Sequence, residues 1–206
     1  MLVTIIDYGL GNLGSIKNML KKIGATSQIT NEINLISRAD KIILPGVGSF
    51  DYGMSKLKEL NLVDILTKKA MSDKIPILGI CLGAQLMTRN SSEGTLPGLS
   101  WFDADTVPFS FENDINSLTI PHMGWNTVKK NKDTDIMFEM YEDPKFYFVH
   151  SYHLKADKSE DVMLYTKYGY EFASALEKNN ILGVQFHPEK SHKFGMSLLN
   201  NFITRY

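Results

Sequence analysis

Near its start the chain carries an apolar, β-branched run, Val3-Thr4-Ile5-Ile6, with no polar alternation. A half-exposed strand alternates, so an unbroken run of this length predicts a strand buried on both faces. Ile16, Met19, Leu20 and Ile23 then fall at i, i+3, i+4 and i+7, one stripe of a helix that Gly24 closes. Another buried strand, Ile42-Ile43-Leu44, is stopped by Pro45-Gly46, because proline has no N–H to give a ladder. Helical patterning runs on to about Ala70, and Ile77-Leu78-Gly79-Ile80 makes a further buried strand. Gln28-Ile29-Thr30-Asn31 reads as a polar stretch. Strands separated by helices predict parallel βαβ units with right-handed crossovers.

The second half reads differently. Residues 101–108, 125–128, 146–149, 162–167, 172–176 and 182–186 are strand-like, with few helices between them. Polar loops at 111–117 and 129–135 join some of them. Ser191 is placed to N-cap a closing helix in which Phe194, Leu198 and Phe202 share a face. No internal period is visible. The pattern predicts a single α/β domain over residues 1–206: a flavodoxin-like open sheet, mostly parallel, with an antiparallel extension in the second half. Ligands in such sheets bind beyond the carboxyl ends of the strands.

Composition changes this picture mainly by exclusion. With 43% hydrophobic and 22% charged residues, disordered and disulfide-scaffold classes are out. The 22 basic and 23 acidic residues nearly cancel, so nothing builds the field that nucleic acid or an anionic membrane surface needs. The longest uncharged stretch, residues 75–88, is shorter than the roughly 20 residues a spanning helix takes. No signal-peptide pattern is read at the start, and a lone cysteine fits a reduced, cytoplasmic setting.

That cysteine carries the strongest chemical signal. Gly79-Ile80-Cys81-Leu82-Gly83 follows a buried strand and precedes a helical stretch, Ala84-Gln85-Leu86-Met87. This is the G-x-nucleophile-x-G elbow, with cysteine in place of serine. The glycines keep side chains out of a tight turn, and the helix N-terminus directs partial positive charge at the sulfur, favouring a thiolate. An inert core cysteine is the competing reading. A thiolate nucleophile needs a proton carrier, and of five histidines His187 directly follows a strand, with Pro188-Glu189 after it. Glu189 is placed to hold the imidazole's tautomer, completing a Cys81-His187-Glu189 triad. Acyl chemistry also needs oxyanion donors. Pro45-Gly46-Val47-Gly48 ends a strand, and its Val47 N–H, with that of Leu82 after the nucleophile, can cradle an oxyanion. An ordinary strand-end turn explains the same residues.

Two other constellations compete. Gly9-Leu10-Gly11-Asn12-Leu13-Gly14 is a literal G-x-G-x-x-G between a strand and a helix, with Glu32 beyond it, so a dinucleotide-binding domain is an alternative. It leaves the cysteine elbow and His-Pro-Glu unemployed. Metal binding is not implied: His150 and His153 are three apart on one strand-like run, which puts them on opposite sides, and no H-E-x-x-H or C-x-x-C is present. No cofactor is expected.

Taken together, these residues resemble the class I, triad-type glutamine amidotransferases, and among them the glutaminase subunits of imidazole glycerol phosphate synthases. The resemblance rests on Asp7-Tyr8-Gly9-Leu10-Gly11-Asn12-Leu13, Pro45-Gly46-Val47-Gly48-Ser49-Phe50, Gly79-Ile80-Cys81-Leu82-Gly83-Ala84-Gln85, Pro121-His122-Met123-Gly124-Trp125-Asn126, Tyr147-Phe148-Val149-His150-Ser151-Tyr152 and Phe186-His187-Pro188-Glu189-Lys190-Ser191. It implies attack of Cys81 on the carboxamide of L-glutamine, a γ-glutamyl thioester, and release of ammonia to a (β/α)8 synthase partner in a heterodimer. It further implies substrate contacts at Gly48, Gln85, Glu93, Ser151 and Tyr152, and partner contacts at Asn12, Trp125, Tyr147 and Lys190. Asn90-Ser91-Ser92 carries fewer acids than usual before Glu93, and Gly14 and Ala84 stand where relatives often carry larger residues. A paralogue feeding ammonia to another acceptor, such as an enzyme amidating a surface sugar, therefore stays open. So do a γ-glutamyl or peptide hydrolase that needs no partner, and a binding module that has lost the chemistry.

Overall fold

The apolar runs of the first half become the centre of a sheet covered on both faces. A computed structural model describes residues 1–111 and 118–206, so the residues beyond Phe111 in the expected 111–117 loop lie outside the described residues. The first half contains β1 (Leu2–Ile6), α1 (Leu13–Lys22), β2 (Thr26–Thr30), α2 (Ile33–Ile36), β3 (Lys41–Gly46), α3 (Phe50–Glu59), α4 (Leu62–Thr67), β4 (Ile77–Cys81) and α5 (Leu82–Leu86). The second contains β5 (Ala104–Pro108), β6 (His122–Thr127), β7 (Lys129–Lys130), β8 (Lys145–His150), β9 (Tyr152–Ala156), β10 (Val162–Tyr168), β11 (Tyr170–Lys178), β12 (Ile181–Val184) and α6 (His192–Arg205).

The main path of the large sheet runs β2-β1-β3-β4-β12-β11-β10-β7, and β6 and β8 form a separate antiparallel pair. From β2 to β12 the neighbours are parallel. At β11 the sense reverses, and β10, β7 and β9 continue antiparallel. The mostly parallel sheet with its antiparallel extension is thus the observed architecture. Alternation along each strand feeds two cores. Val3, Ile5, Ile43, Leu78 and Ile80 pack against Ile16 and Leu20 of α1 and Leu198 and Phe202 of α6. Ile6, Ile42, Leu44 and Ile77 pack against Phe50, Leu57, Leu62, Leu66 and Leu86 from α3, α4 and α5.

Several sequence expectations need correction. Pro45-Gly46 does not stop β3, because Pro45 still pairs with Ile80 and Gly46 with Cys81. The ladder to β1 ends at Ile43, so the missing N–H of Pro45 costs no bond on that side. The polar stretch Gln28-Ile29-Thr30 is part of β2, whose place at the sheet edge tolerates polar side chains. The run read as one strand through His150 and His153 breaks at Ser151. Both imidazoles consequently face Phe109, with ring centroids 5.2 and 4.8 Å away, rather than opposite sides. Ser191 makes no side-chain cap to α6; its hydroxyl is used elsewhere.

The dinucleotide fingerprint also loses its structural basis. Its third glycine serves close packing of helix on strand, yet a Cβ at Gly14 meets nothing within 4 Å. Asn12 instead N-caps α1, accepting the Ser15 N–H at 3.4 Å. Among the described residues no helix is long and apolar enough to cross a membrane.

A very close backbone contact lies where α5 starts. A Cβ at Gly83 would fall on the Leu44 carbonyl oxygen and lie 2.7 Å from its carbon. Both obstacles are backbone inside a sheet, so neither yields cheaply. Gly83→Ala should destabilise the protein by at least about 1–3 kcal/mol, read as a lower urea midpoint at unchanged slope. A wild-type midpoint would show that the elbow does not constrain the sheet.

Candidate active site

Cys81 ends β4 and stands at the N-cap position of α5, with φ 52 and ψ −111. A non-glycine residue at positive φ is strained and persists only where its surroundings hold it. Here the helix folds straight back over its own strand, and a Cβ at Gly79 would sit 2.8 Å from the backbone of Ala84. Together Gly79 and Gly83 permit the close return that leaves Cys81, 7% exposed, at a cavity wall. Leu82 is the first residue of α5, so its N–H has no intrahelical acceptor.

β12 is the neighbour of β4, with Val184 opposite Ile80. This register delivers His187 to the same end of the sheet as Cys81. The loop is pinned by main chain: His187 N–H donates to the Tyr147 carbonyl at 2.9 Å. The Ser191 hydroxyl donates to the His187 carbonyl at 2.6 Å and accepts the Tyr147 N–H at 3.0 Å. Ser191 is therefore a strut for the histidine, a role that the capping signal concealed.

His187 Nδ1 lies 2.8 Å from Glu189 Oε1, and both side chains are nearly fully buried. Among the described residues Nε2 has no hydrogen-bond partner, and the Cys81 sulfur is near enough to act on its charge. Burial pushes the imidazole down, but the adjoining Cys81 sulfur and Glu189 carboxylate outweigh it and raise it to about 10. An imidazolium at neutral pH follows.

These groups open into a cavity of about 300 Å³, lined among others by Val47, Gly48, Cys81, Leu82, Gln85, Glu93, Ser151 and His187. Gly48 has φ +114, and Val47 beside it is 41% exposed. At the rim, Glu93 accepts the Phe50 N–H at the start of α3 at 2.8 Å. Gln85 donates from Nε2 to the Tyr152 carbonyl at 3.2 Å and to Gln185 Oε1 at 3.1 Å, and Gln185 Nε2 approaches the Cys81 sulfur at 3.7 Å. The sequence reading overlooked Gln185, although a polar residue inside the apolar run 182–186 was the available signal.

It also overlooked a chain of neutral histidines. His150 Nδ1 faces the Tyr152 carbonyl at 2.7 Å and must carry the proton there, leaving Nε2 to accept from His122 Nδ1 at 2.9 Å. His122 Nε2 then accepts from Asn126 Nδ2 at 3.1 Å. Every bond in this chain points one way, toward the Tyr152 carbonyl. Burial pushes His122 down to about 4 and, with further small contributions from neighbouring charges, His150 to about 3. His153 is likewise lowered chiefly by burial.

Of the residues expected at a partner surface, three cluster. Trp125 is 46% exposed and meets Tyr147 edge-on at 6.3 Å, and Lys190 Nζ sits 5.5 Å above the Tyr147 ring. Trp125 also stacks on His192 at 5.5 Å. The fourth, Asn12, is occupied as the α1 cap described above. Among the described residues no group of three His, Cys, Asp or Glu is placed to hold a metal ion.

A mostly parallel sheet carrying a strained cysteine elbow, with a His-Glu pair just beyond the end of the next strand, defines a thiol-dependent acyl-transfer scaffold. The chain belongs to the class-I glutamine amidotransferase family, whose sequence profile matches residues 4–206. It is similar to imidazole glycerol phosphate synthase subunit HisH 2 of Methanococcus maripaludis, 56% identical over 205 residues and covering 98% of each chain. It is also similar to the HisH 2 subunit of Pseudomonas aeruginosa, 45% identical over 202 residues and 98% of each chain. Its fold matches the crystal structure of a glutamine amidotransferase from Thermotoga maritima with TM-score 0.68 at 16% identity, covering 100% of this chain and 97% of that one.

The histidine chain sets a pH dependence. Unfolded histidines titrate near 6.5, whereas His122 and His150 in the fold stay neutral down to about 4 and 3. Between those values the unfolded state binds more protons, so stability falls as pH falls. The melting temperature should drop steadily from pH 7 to pH 4, with a shallower slope in His122→Asn. An unchanged slope in that variant would contradict the assignment.

Proposed function

We infer that the chain is the glutaminase subunit of an imidazole glycerol phosphate synthase, hydrolysing L-glutamine and passing ammonia to a (β/α)8 cyclase partner in the cytoplasm for histidine biosynthesis. The observation that carries this reading is the cavity shared by Cys81 and His187, with Glu189 2.8 Å behind the imidazole. It occurs in a chain 56% identical to a protein named as such a subunit.

In this reading the Cys81 thiolate attacks the carboxamide carbon. Val47 and Leu82 N–H groups hold the oxyanion, each such donor being worth about 10²–10³ in rate. The His187 imidazolium gives its proton to the departing nitrogen, ammonia leaves, and a γ-glutamyl thioester remains. His187, now neutral, takes a proton from water as it attacks the thioester, and glutamate departs from sulfur. Glu189 holds the tautomer and steadies the imidazolium. Gly48, Gln85, Glu93, Ser151 and Tyr152 receive the substrate's amino-acid end. Trp125, Tyr147 and Lys190, flanked by the 61% exposed Met123, form the docking face, and Asn12 joins it through the first loop. Ammonia is protonated in bulk water, which is why a docked barrel is needed to receive it.

A second reading has one observation in its favour. Two of the similar proteins both carry the number 2 in their names. A paralogue delivering ammonia to a different acceptor has the same chemistry on this side of the interface. Ammonia transfer to candidate synthases separates the two.

Cys81→Ser should release glutamate from glutamine at least about 10³-fold more slowly while the far-UV spectrum and melting temperature stay as in the wild type. Undiminished turnover would end the triad reading. The raised imidazole gives a further test. Because His187 must be protonated to expel ammonia, kcat/KM should fall as pH rises through about 10. A rate still climbing beyond that point would show that another acid serves the leaving group.

A further inference from the structure

Tyr8 follows β1 and is fully buried, 1% exposed, on the face of the sheet covered by α3 and α5. Its hydroxyl has no hydrogen-bond partner among the described residues. An unpaired buried hydroxyl is costly relative to phenylalanine in the same place, so its retention calls for a reason. Its neighbours supply one. A Cβ built on Gly46 would run into the Tyr8 hydroxyl, and would crowd Leu82 Cβ at 3.0 Å. The hydroxyl therefore lies directly against the α-carbon of Gly46. That residue pairs with Cys81 and precedes Val47.

The trans peptide between Gly46 and Val47 points its N–H and its C=O in opposite directions. When the Val47 N–H turns toward the cavity to meet an oxyanion, the Gly46 carbonyl turns away from it, into protein. A buried carbonyl needs a donor. The phenol lies at the spot where it can give one. Its burial, and then the nearby Cys81 charge, push the phenol up, so the proton stays available.

We propose that Tyr8 is a positioning residue for the oxyanion peptide: its orphaned hydroxyl donates to the Gly46 carbonyl when the Val47 N–H faces substrate, and so holds that orientation. The proposal rests on the glutaminase reading and on Val47 as an oxyanion donor. The hydroxyl touches neither substrate nor leaving group, so its effect passes entirely through the peptide.

The test is Tyr8→Phe in the full chain, assayed alone and with its synthase partner. We expect kcat for glutamine hydrolysis to fall at least tenfold, with KM within twofold. Alkylation of Cys81 by iodoacetamide, which forms no oxyanion, should keep its wild-type rate, and the melting temperature should be unchanged or higher. Wild-type kcat in the variant overturns the proposal. So does a parallel loss of kcat, alkylation and melting temperature, because that pattern marks a packing role. A wild-type chain that releases no glutamate under either condition takes down the glutaminase reading and this inference together, whereas an active wild type with an equally active Tyr8→Phe removes Tyr8 alone.

Discussion

Everything at the carboxyl edge of this sheet depends on the parallel pairing of β3 with β4, which sets Gly46 opposite Cys81. That register is locked from two sides. Gly83 at the start of α5 lies on the Leu44 carbonyl, and Gly79 lies against the backbone of Ala84. A one-residue slip would reverse the facing of every side chain in the strand and drive a helix into a sheet carbonyl. The same edge receives His187 from β12, the next strand over. Three adjacent strands thus bring a sulfur, a glycine-flanked peptide and an imidazole to one cavity without any long loop having to find its place.

What separates the buried histidines of this region is their partners, since burial lowers every one of them. His122, His150 and His187 are all buried, and burial alone disfavours the charged form of each. Two of them fall to about 4 and 3, and the third rises to about 10. His150 faces a carbonyl and another imidazole, neither of which carries negative charge. His187 faces a carboxylate and a sulfur. In a low-dielectric pocket those two neighbours act with little screening, and they are removed from water together with the cation they hold. A pair of this kind is poor evidence for stability. Its value lies in keeping a proton on the imidazole at neutral pH, where an isolated histidine would be mostly neutral.

Much of this was legible in the sequence because the relevant signals were local. The buried strands show as unbroken apolar runs, and the elbow needs only two glycines around a cysteine after such a run. His187 and Glu189 are two residues apart, so their pairing is a short-range matter. What the sequence concealed was set by distance along the chain. The edge strand β2 looks polar because only one of its sides pairs. Pro45 looks like a stop because nothing local reveals that β1 ends its pairing at Ile43. Ser191 looks like a cap, yet its hydroxyl is claimed by His187 and Tyr147. Gln185, Tyr8 and the histidine chain gain meaning only through partners tens of residues away.

The β6–β8 pair shows how two sides of one strand serve two surroundings. Successive side chains of a strand point to opposite faces, so β6 turns His122 inward and Met123 outward, and exposes Trp125 beyond it. The outward face is an apolar patch rimmed by Tyr147, Lys190 and His192. On the inward face the Asn126-His122-His150 chain ends on the Tyr152 carbonyl, which Gln85 also holds. Because both imidazoles stay neutral, each bond in that chain has a single allowed direction, and reversing one requires reversing all. The apolar patch on the outer face and the main chain at Ser151-Tyr152 therefore share one stiff element. A displacement of β6 that broke the His122–His150 bond would leave a buried donor and acceptor unpaired, a cost of about 1–3 kcal/mol for each group, enough to tie the two faces to one another.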